Sequence, residues 1–155
     1  LIGRFAGPEE ARRVAKVFLL QSHGQGQLPF AGLTARRQHS DEMVKSAQLW
    51  IADNYMKANP VAAMASTCGL TERSFHTRFK RATGMSPMDY VQTVRIEEAK
   101  QLLETSEMPL DEVAAEVGYA EPASFRRLFG RMVGVTPSTY RRQHLPVNLS
   151  IREAN

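Results

Sequence analysis

The chain has a single cysteine, no long apolar run and no extended stretch in which apolar and polar residues alternate. Cys68 cannot form an internal disulfide, which suits a reducing cytoplasm. No apolar run approaches the roughly 20 residues of a membrane span, so we expect no membrane partner, and no charged-then-apolar leader indicates export. Without period-two segments nothing argues for strands, so the sequence predicts an all-α fold.

Patterns that support catalysis are also scarce. The four histidines have no metal-ligand spacing with one another or with Cys68, and no glycine-rich phosphate loop is present. The acids Glu97, Glu98 and Glu104 are expected to form a solvated face rather than a catalytic pair. We therefore predict a protein that is not an enzyme and that binds neither a metal nor a cofactor.

What the sequence does contain is an internal repeat of ten positions. The first copy consists of Pro60, Ala65, Gly69, Ser74, Phe75, Phe79, Arg81, Gly84, Pro87 and Tyr90. The second consists of Pro109, Ala114, Gly118, Ser124, Phe125, Phe129, Arg131, Gly134, Pro137 and Tyr140. The first three positions recur after 49 residues and the other seven after 50. One supersecondary unit is therefore used twice, with one residue inserted after the glycine of the second copy.

Each copy has the pattern of two short helices joined at a glycine, which is a helix-turn-helix. Capping residues and prolines place the helix boundaries. The predicted helices span about 41–56, capped by Ser40; 60–69, after the cap Asn59; 71–84, between Thr71 and Gly84; 86–105; a short one from Pro109; 121–133; and a closing helix from Thr136-Pro137.

The second helix of each copy has one aromatic face and one polar face. Phe75 and Phe79 share a face of the first, and Phe125 and Phe129 share a face of the second. At 100° per residue the opposite faces carry Arg73, Thr77, Lys80 and Arg81, then Ala123, Arg127, Gly130 and Arg131, flanked by His76 and Arg126. A buried aromatic face behind an exposed basic one is typical of a helix inserted into a DNA groove.

Charge follows the same repeat. Residues 71–82 contain four Lys or Arg against one Glu, and residues 121–142 contain five Arg against one Glu. Between them, residues 89–116 contain two basic and eight acidic side chains. Two basic patches at equivalent points of a repeat attract phosphates locally even where the net charge is small. The long helix of about 20 residues, roughly 30 Å, is close to the 34 Å repeat of B-DNA, so one chain can reach two successive major grooves.

These residues resemble the DNA-binding domain of the AraC/XylS transcription regulators. The resemblance covers about residues 41–143 and rests on Gly69 to Tyr90, on Arg95 to Leu103, and on Val113 to Tyr119 with Phe125, Phe129, Gly134, Pro137 and Tyr140. It implies seven helices, with two helix-turn-helix subdomains joined by a linker helix. It also implies a sequence-specific activator of transcription that binds double-stranded promoter DNA and contacts RNA polymerase.

The resemblance also implies site residues. Those expected to face bases are Arg73, His76 and Thr77 in the first groove, and Ala123, Ser124, Arg126 and Arg127 in the second. Those expected to hold phosphates are Lys80, Arg81 and Arg131. Arg127 is the strongest candidate for a bidentate contact to guanine, since Arg pairs with both O6 and N7. Gly130 replaces the lysine of the first copy and so removes a possible phosphate contact.

The domain organisation outside the repeat is open between two interpretations. Residues 1–30, with a short helix over about 7–20, resemble the end of an amidotransferase-like sensor domain, or they are an unrelated extension. In the first case a small-molecule effector binds only through a missing N-terminal domain. We expect residues 31–40 to be a linker, residues 41–143 the DNA-binding domain and residues 144–155 a tail.

Three functions compete for this pattern. The first is a cytoplasmic transcription regulator, and the second is a protein-interaction module with incidental DNA binding. The third is a repair enzyme that uses Cys68 as an alkyl acceptor, although a small core residue is the expectation for this cysteine.

Arg95 lies on the apolar stripe of its helix, and we expect it to form a structural ion pair with an acid such as Glu112.

Overall fold

The computed structural model describes residues 39–144, and within that range the chain forms seven α-helices and no strand. The helices are α1 (Glu42–Asn54), α2 (Pro60–Thr67), α3 (Glu72–Thr83), α4 (Pro87–Thr105), α5 (Leu110–Glu116), α6 (Pro122–Val133) and α7 (Pro137–His144). The all-α prediction is confirmed. The helix predicted over 7–20, the sensor remnant, most of the linker and the tail after residue 144 lie outside the described residues, and the domain boundaries stay predictions.

The chain divides into two compact units, with the division between Val94 and Arg95 inside α4. The described part of the first unit contains α1, α2, α3 and the beginning of α4. The second contains the rest of α4 with α5, α6 and α7. No helix among the described residues is long and apolar enough to cross a membrane.

The helix caps explain most of the boundaries. Thr71 Oγ1 accepts a hydrogen bond from the Ser74 amide at 3.1 Å, and Ser86 Oγ accepts one from the Asp89 amide at 3.1 Å. Gly84 ends α3 with a φ of 76°, where its amide donates to the Lys80 carbonyl at 2.7 Å. These three caps are as predicted, because cap chemistry depends on residues within one helical turn.

One predicted cap is wrong, and another is confirmed in position only. Asp41, not Ser40, caps α1, because its backbone is extended and its Oδ1 accepts from the amides of Met43 and Val44 at 3.1 and 3.2 Å. Asn59 does precede α2, but it has a left-handed backbone with a φ of 49° and its side chain makes no capping bond. An N-cap side chain reaches the first turn from an extended backbone, which Asn59 does not have.

The turns of the two units are built from equivalent hydrogen bonds. In the first, Leu70 N donates to Ala65 O at 2.9 Å across Gly69, whose φ is 67°. In the second, Tyr119 N donates to Ala114 O at 2.9 Å across Gly118, whose φ is 103°. This six-to-one bond ends a helix at a left-handed residue, and only glycine adopts that backbone without strain. The two copies of the repeat therefore share one turn geometry.

A row of three aromatic rings forms the core of each unit. The Phe79 ring lies 5.6 Å from Phe75 and 5.4 Å, edge to face at 75°, from Tyr90. In the second unit Phe129 lies 5.7 Å from Phe125 and 5.6 Å, at 77°, from Tyr140. All six rings are buried. Truncation of such a ring to alanine costs about 3–5 kcal/mol, so these rows hold α3 and α6 to their units.

One expectation about α4 is wrong, and another is confirmed in part. Glu97 and Glu98 are not solvated but are 7% and 9% exposed, and the Glu97 carboxylate pairs with Lys100 Nζ at 2.9 Å. An i,i+3 ion pair on one helix lets both charges be buried. Arg95 is buried as expected, but its guanidinium lies 5.2 Å from the centroid of the Tyr119 ring, whereas Glu112 is exposed. A cation over an aromatic face stabilises this packing, and the ion pair of Arg95 with an acidic residue stays a prediction.

Gly130 tests how backbone conformation affects the stability of α6. It lies inside α6, and a Cβ added there would meet nothing within 4 Å. We expect Gly130→Ala to stabilise the protein by about 0.5–1 kcal/mol, because glycine loses more backbone entropy in a helix than alanine does. Thermal unfolding monitored by circular dichroism should show a higher midpoint.

The matched control is Gly134→Ala, four residues later. That position also has open space, but its φ of 90° strains any residue with a Cβ. Its midpoint should fall. If both variants changed the midpoint in the same direction, backbone conformation would not be the cause.

Candidate nucleic-acid interface

The polar face of α3 is open to solvent. Arg73, His76, Thr77, Lys80 and Arg81 are all exposed, while Phe75 and Phe79 on the other side are buried. The Thr77 hydroxyl donates to the Arg73 carbonyl at 3.1 Å, so its oxygen can still accept a bond from a ligand. All five side chains predicted on this helix are therefore accessible together.

The polar face of α6 has the same arrangement. Ala123, Arg126, Arg127 and Arg131 are exposed, and Ser124 is half-buried. Arg127 Nη2 lies 3.4 Å from Ser124 Oγ, a single weak bond from donor to hydroxyl. The remaining guanidinium donors of Arg127 have no other partner among the described residues, so they are available for a bidentate contact.

Sequence reasoning missed Arg78 on α3. Its Nε donates to Asp41 Oδ2 at 2.9 Å and its Nη2 to Asp41 Oδ1 at 3.3 Å, a bidentate ion pair. The hydrogen bonds from Arg78 hold the pKa of the Asp41 carboxyl below its usual value, and Asp41 raises the pKa of Arg78. One carboxylate thus caps α1 and holds α3. The two residues lie 37 positions apart, so no local pattern could have paired them.

An open depression of about 890 Å³ lies where the start of α1 faces α3. Its lining consists of His39, Ser40, Asp41, Arg73, Ser74, Thr77, Arg78, Arg81 and Ala82. Three guanidinium groups against one carboxylate give this surface a local positive charge. Such a surface suits an anion such as a backbone phosphate.

The second unit also contains an ion pair on α6, the second helix of its helix-turn-helix. Arg126 Nη2 donates to Asp111 Oδ1 at 2.6 Å, and the two side chains are 53% and 65% exposed. Asp111 lies in the first turn of α5, so this pair joins the two helices of one helix-turn-helix. Sequence reasoning identified Arg126 but not its partner.

Catalytic and metal chemistry find no support at Cys68. The thiol is half-buried, and burial raises the pKa of Cys68, which disfavours the thiolate that would act as nucleophile. Among residues 39–144 no group of three His, Cys, Asp or Glu side chains could hold a metal ion.

The ion pair of Asp41 leads to a pH prediction. A carboxyl whose pKa is lowered on folding contributes stability above its ordinary pKa, and that stability is lost as pH falls through the lowered folded value. Asn caps helices as well as Asp does, so Asp41→Asn keeps the cap and weakens only the pair. We expect a lower unfolding midpoint at pH 7 and a smaller loss of stability below about pH 4.

Glu42→Gln is the matched control, since it removes the same charge one residue away. The Glu42 side chain is 84% exposed and reaches only Lys45, at 3.4 Å. Its midpoint should stay close to that of the unchanged protein. An equal fall in both variants would mean that net charge, and not the bond to Arg78, accounts for the effect.

Comparison with known proteins places this geometry in a family. A family model described as a helix-turn-helix domain matches residues 64–143. The transcriptional activator RhaR of Pectobacterium atrosepticum is 33% identical over 128 residues, which are 77% of this chain and 45% of that protein. A putative AraC-like transcription regulator of Streptomyces antibioticus is 29% identical over 107 residues, 69% of this chain and 35% of that protein.

A solved structure agrees with these relatives. The DNA-binding domain of the transcriptional factor AdpA in complex with a target DNA matches with a TM-score of 0.61 and 30% identity, over 66% of this chain and 93% of that one. The chain spans less than half the length of the two curated relatives. Because the matched domain covers more than half of the chain, the chain belongs to the AraC family of helix-turn-helix, DNA-binding transcription regulators.

Proposed function

We propose that this chain binds specific sites in double-stranded promoter DNA by inserting α3 and α6 into two successive major grooves. The observation that carries the proposal is the same in each unit. The second helix of the helix-turn-helix buries two phenylalanines and exposes its basic and polar side chains. A helix held by its apolar face with its cations outward is what major-groove binding requires.

Within that interface the side chains divide into two roles. Arg73, His76 and Thr77 on α3 would contact base edges, as would Ala123, Ser124, Arg126 and Arg127 on α6. Lys80, Arg81 and Arg131 stand nearer the carboxyl ends of their helices and would hold phosphates, which set position without reading sequence. Ala123 offers only apolar contact, such as to a thymine methyl, so discrimination by α6 rests on its arginines.

A second part of the proposal concerns the function of the whole protein. We propose an activator that contacts RNA polymerase in the cytoplasm, in keeping with relatives such as RhaR that are named activators. A small-molecule effector would act through a part of the protein that this chain does not include. The amidotransferase-like sensor suggested by residues 1–30 is one candidate for that part.

Selection of bound sites from random duplexes tests the proposal. We expect one motif with two conserved blocks about one helical turn apart, because each unit reads one groove. Binding to the recovered site should weaken steeply with salt, as phosphate contacts release counterions. Recovery of no preferred sequence, with little dependence on salt, would instead favour a module that binds acidic proteins.

Arg127→Ala tests the assignment of one residue. We expect a loss of about 1–3 kcal/mol of affinity for the selected site, confined to one guanine position, with non-specific binding little changed. Fluorescence anisotropy on matched and mutated duplexes measures both.

Arg131→Ala, one turn later on the same helix, is the comparison variant for a phosphate contact. It should weaken binding to all sequences alike and lower the salt slope by about 1. If Arg127→Ala behaved in the same way as Arg131→Ala, Arg127 would be holding phosphate and not reading a base.

A further inference from the structure

The two ion pairs on the recognition helices use their arginines differently. In the first unit Arg78 directs both Nε and Nη2 at Asp41, whose side chain is only 21% exposed. In that geometry both donors of one edge of the guanidinium are bonded to Asp41, so the role of this pair is structural. In the second unit Arg126 gives a single bond, from Nη2 to Asp111 Oδ1, and both side chains are more than half exposed.

Arg126 therefore keeps most of its donors. A guanidinium has five N–H groups, and one of them is bonded to Asp111. Among the described residues no other hydrogen bond to Arg126 is present, so an edge of the guanidinium with two parallel donors stays available. Two parallel donors are what the O6 and N7 atoms of guanine accept.

The bond to Asp111 also limits how Arg126 can move. A free arginine side chain loses about 2 kcal/mol of rotamer entropy when a contact fixes it. A side chain already held at 2.6 Å by a carboxylate on the neighbouring helix has lost part of that freedom before DNA arrives. A pre-oriented donor pair binds its target with a smaller entropic cost and tolerates fewer alternative positions.

We propose that Asp111 is a positioning residue that orients Arg126 to read one guanine, so that the second unit discriminates through a carboxylate on α5 as well as through α6. This inference rests on the proposed function. It concerns the second unit alone, because the equivalent positions of the first unit are Ala62 and His76, which cannot form an ion pair. The two halves of the binding site would therefore be read by different chemistry.

An acidic side chain near DNA has a simpler possible effect, which is repulsion of phosphate. The two effects differ in sign and in sequence dependence. Loss of repulsion strengthens binding to every duplex alike, whereas loss of orientation lowers the preference for one base pair. A substitution at Glu112 distinguishes the two effects. Glu112 is an exposed acid in the same first turn of α5 and has no hydrogen-bond partner among the described residues.

The experiment compares Asp111→Asn with Glu112→Gln in the protein as it stands. Both variants remove one negative charge from the same helix turn, so their effects on charge and on the helix dipole match. Site selection first gives the preferred duplex, and affinities are then measured for it and for each single base-pair change. We expect Asp111→Asn to reduce the roughly 5- to 150-fold preference at one guanine position severalfold, and Glu112→Gln to leave it unchanged.

Arg126→Ala completes a double-mutant cycle. In that background Asp111→Asn should have no further effect on the preference, because its action runs through the guanidinium. If Asp111→Asn and Glu112→Gln instead strengthened binding to all duplexes equally, Asp111 would only repel phosphate and the inference would be overturned. If the unchanged protein selected no site at all, the proposed function itself would fail, which is a different result.

Discussion

The contact on which the rest of the structure depends is the packing of each recognition helix against its own unit through aromatic rings. Phe75 and Phe79 in α3, and Phe125 and Phe129 in α6, are buried almost completely. Tyr90 and Tyr140 close each row edge to face, from the helix that follows. Because these rings occupy one side of each helix, the arginines at intermediate positions must lie on the other. The burial of the rings thus determines which charges reach solvent.

Two ion pairs then hold individual arginines of α3 and α6, the helices that the rings have positioned. Asp41 serves two helices at once, capping α1 and holding Arg78 of α3. Asp111 bonds to Arg126 within the second unit. The exposed pair of Arg126 with Asp111 adds little to stability, so its main effect is on the orientation of the arginine, whereas the less exposed, bidentate pair of Arg78 with Asp41 also stabilises the fold. An orientation of one guanidinium matters more for base recognition than for folding, since a bidentate contact needs both donors in one plane.

The sequence predicted the local features well and the long-range ones poorly. The all-α fold, the glycine turns, the caps at Thr71 and Ser86 and the exposure of the polar faces all follow from patterns within about two helical turns. The wrong predictions concern features that depend on residues distant in the sequence, or positions where two neighbouring residues could play the same role. Ser40 and Asp41 are both good caps, and Asp41 is the one whose carboxylate also accepts hydrogen bonds from Arg78. The sequence predicts that Glu97 and Glu98 are solvated, because no residue pattern within α4 shows that the helix is buried at these positions.

By itself the sequence determined that one helix-turn-helix is used twice and which side of each second helix is apolar. Those properties come from residue spacing and from helix geometry, which repeat every 3.6 residues and need no distant partner. Only the tertiary structure decided which arginines are bound by carboxylates and which keep their donors. That depends on pairs such as Asp41 with Arg78, which approach within hydrogen-bond distance only after their helices have packed.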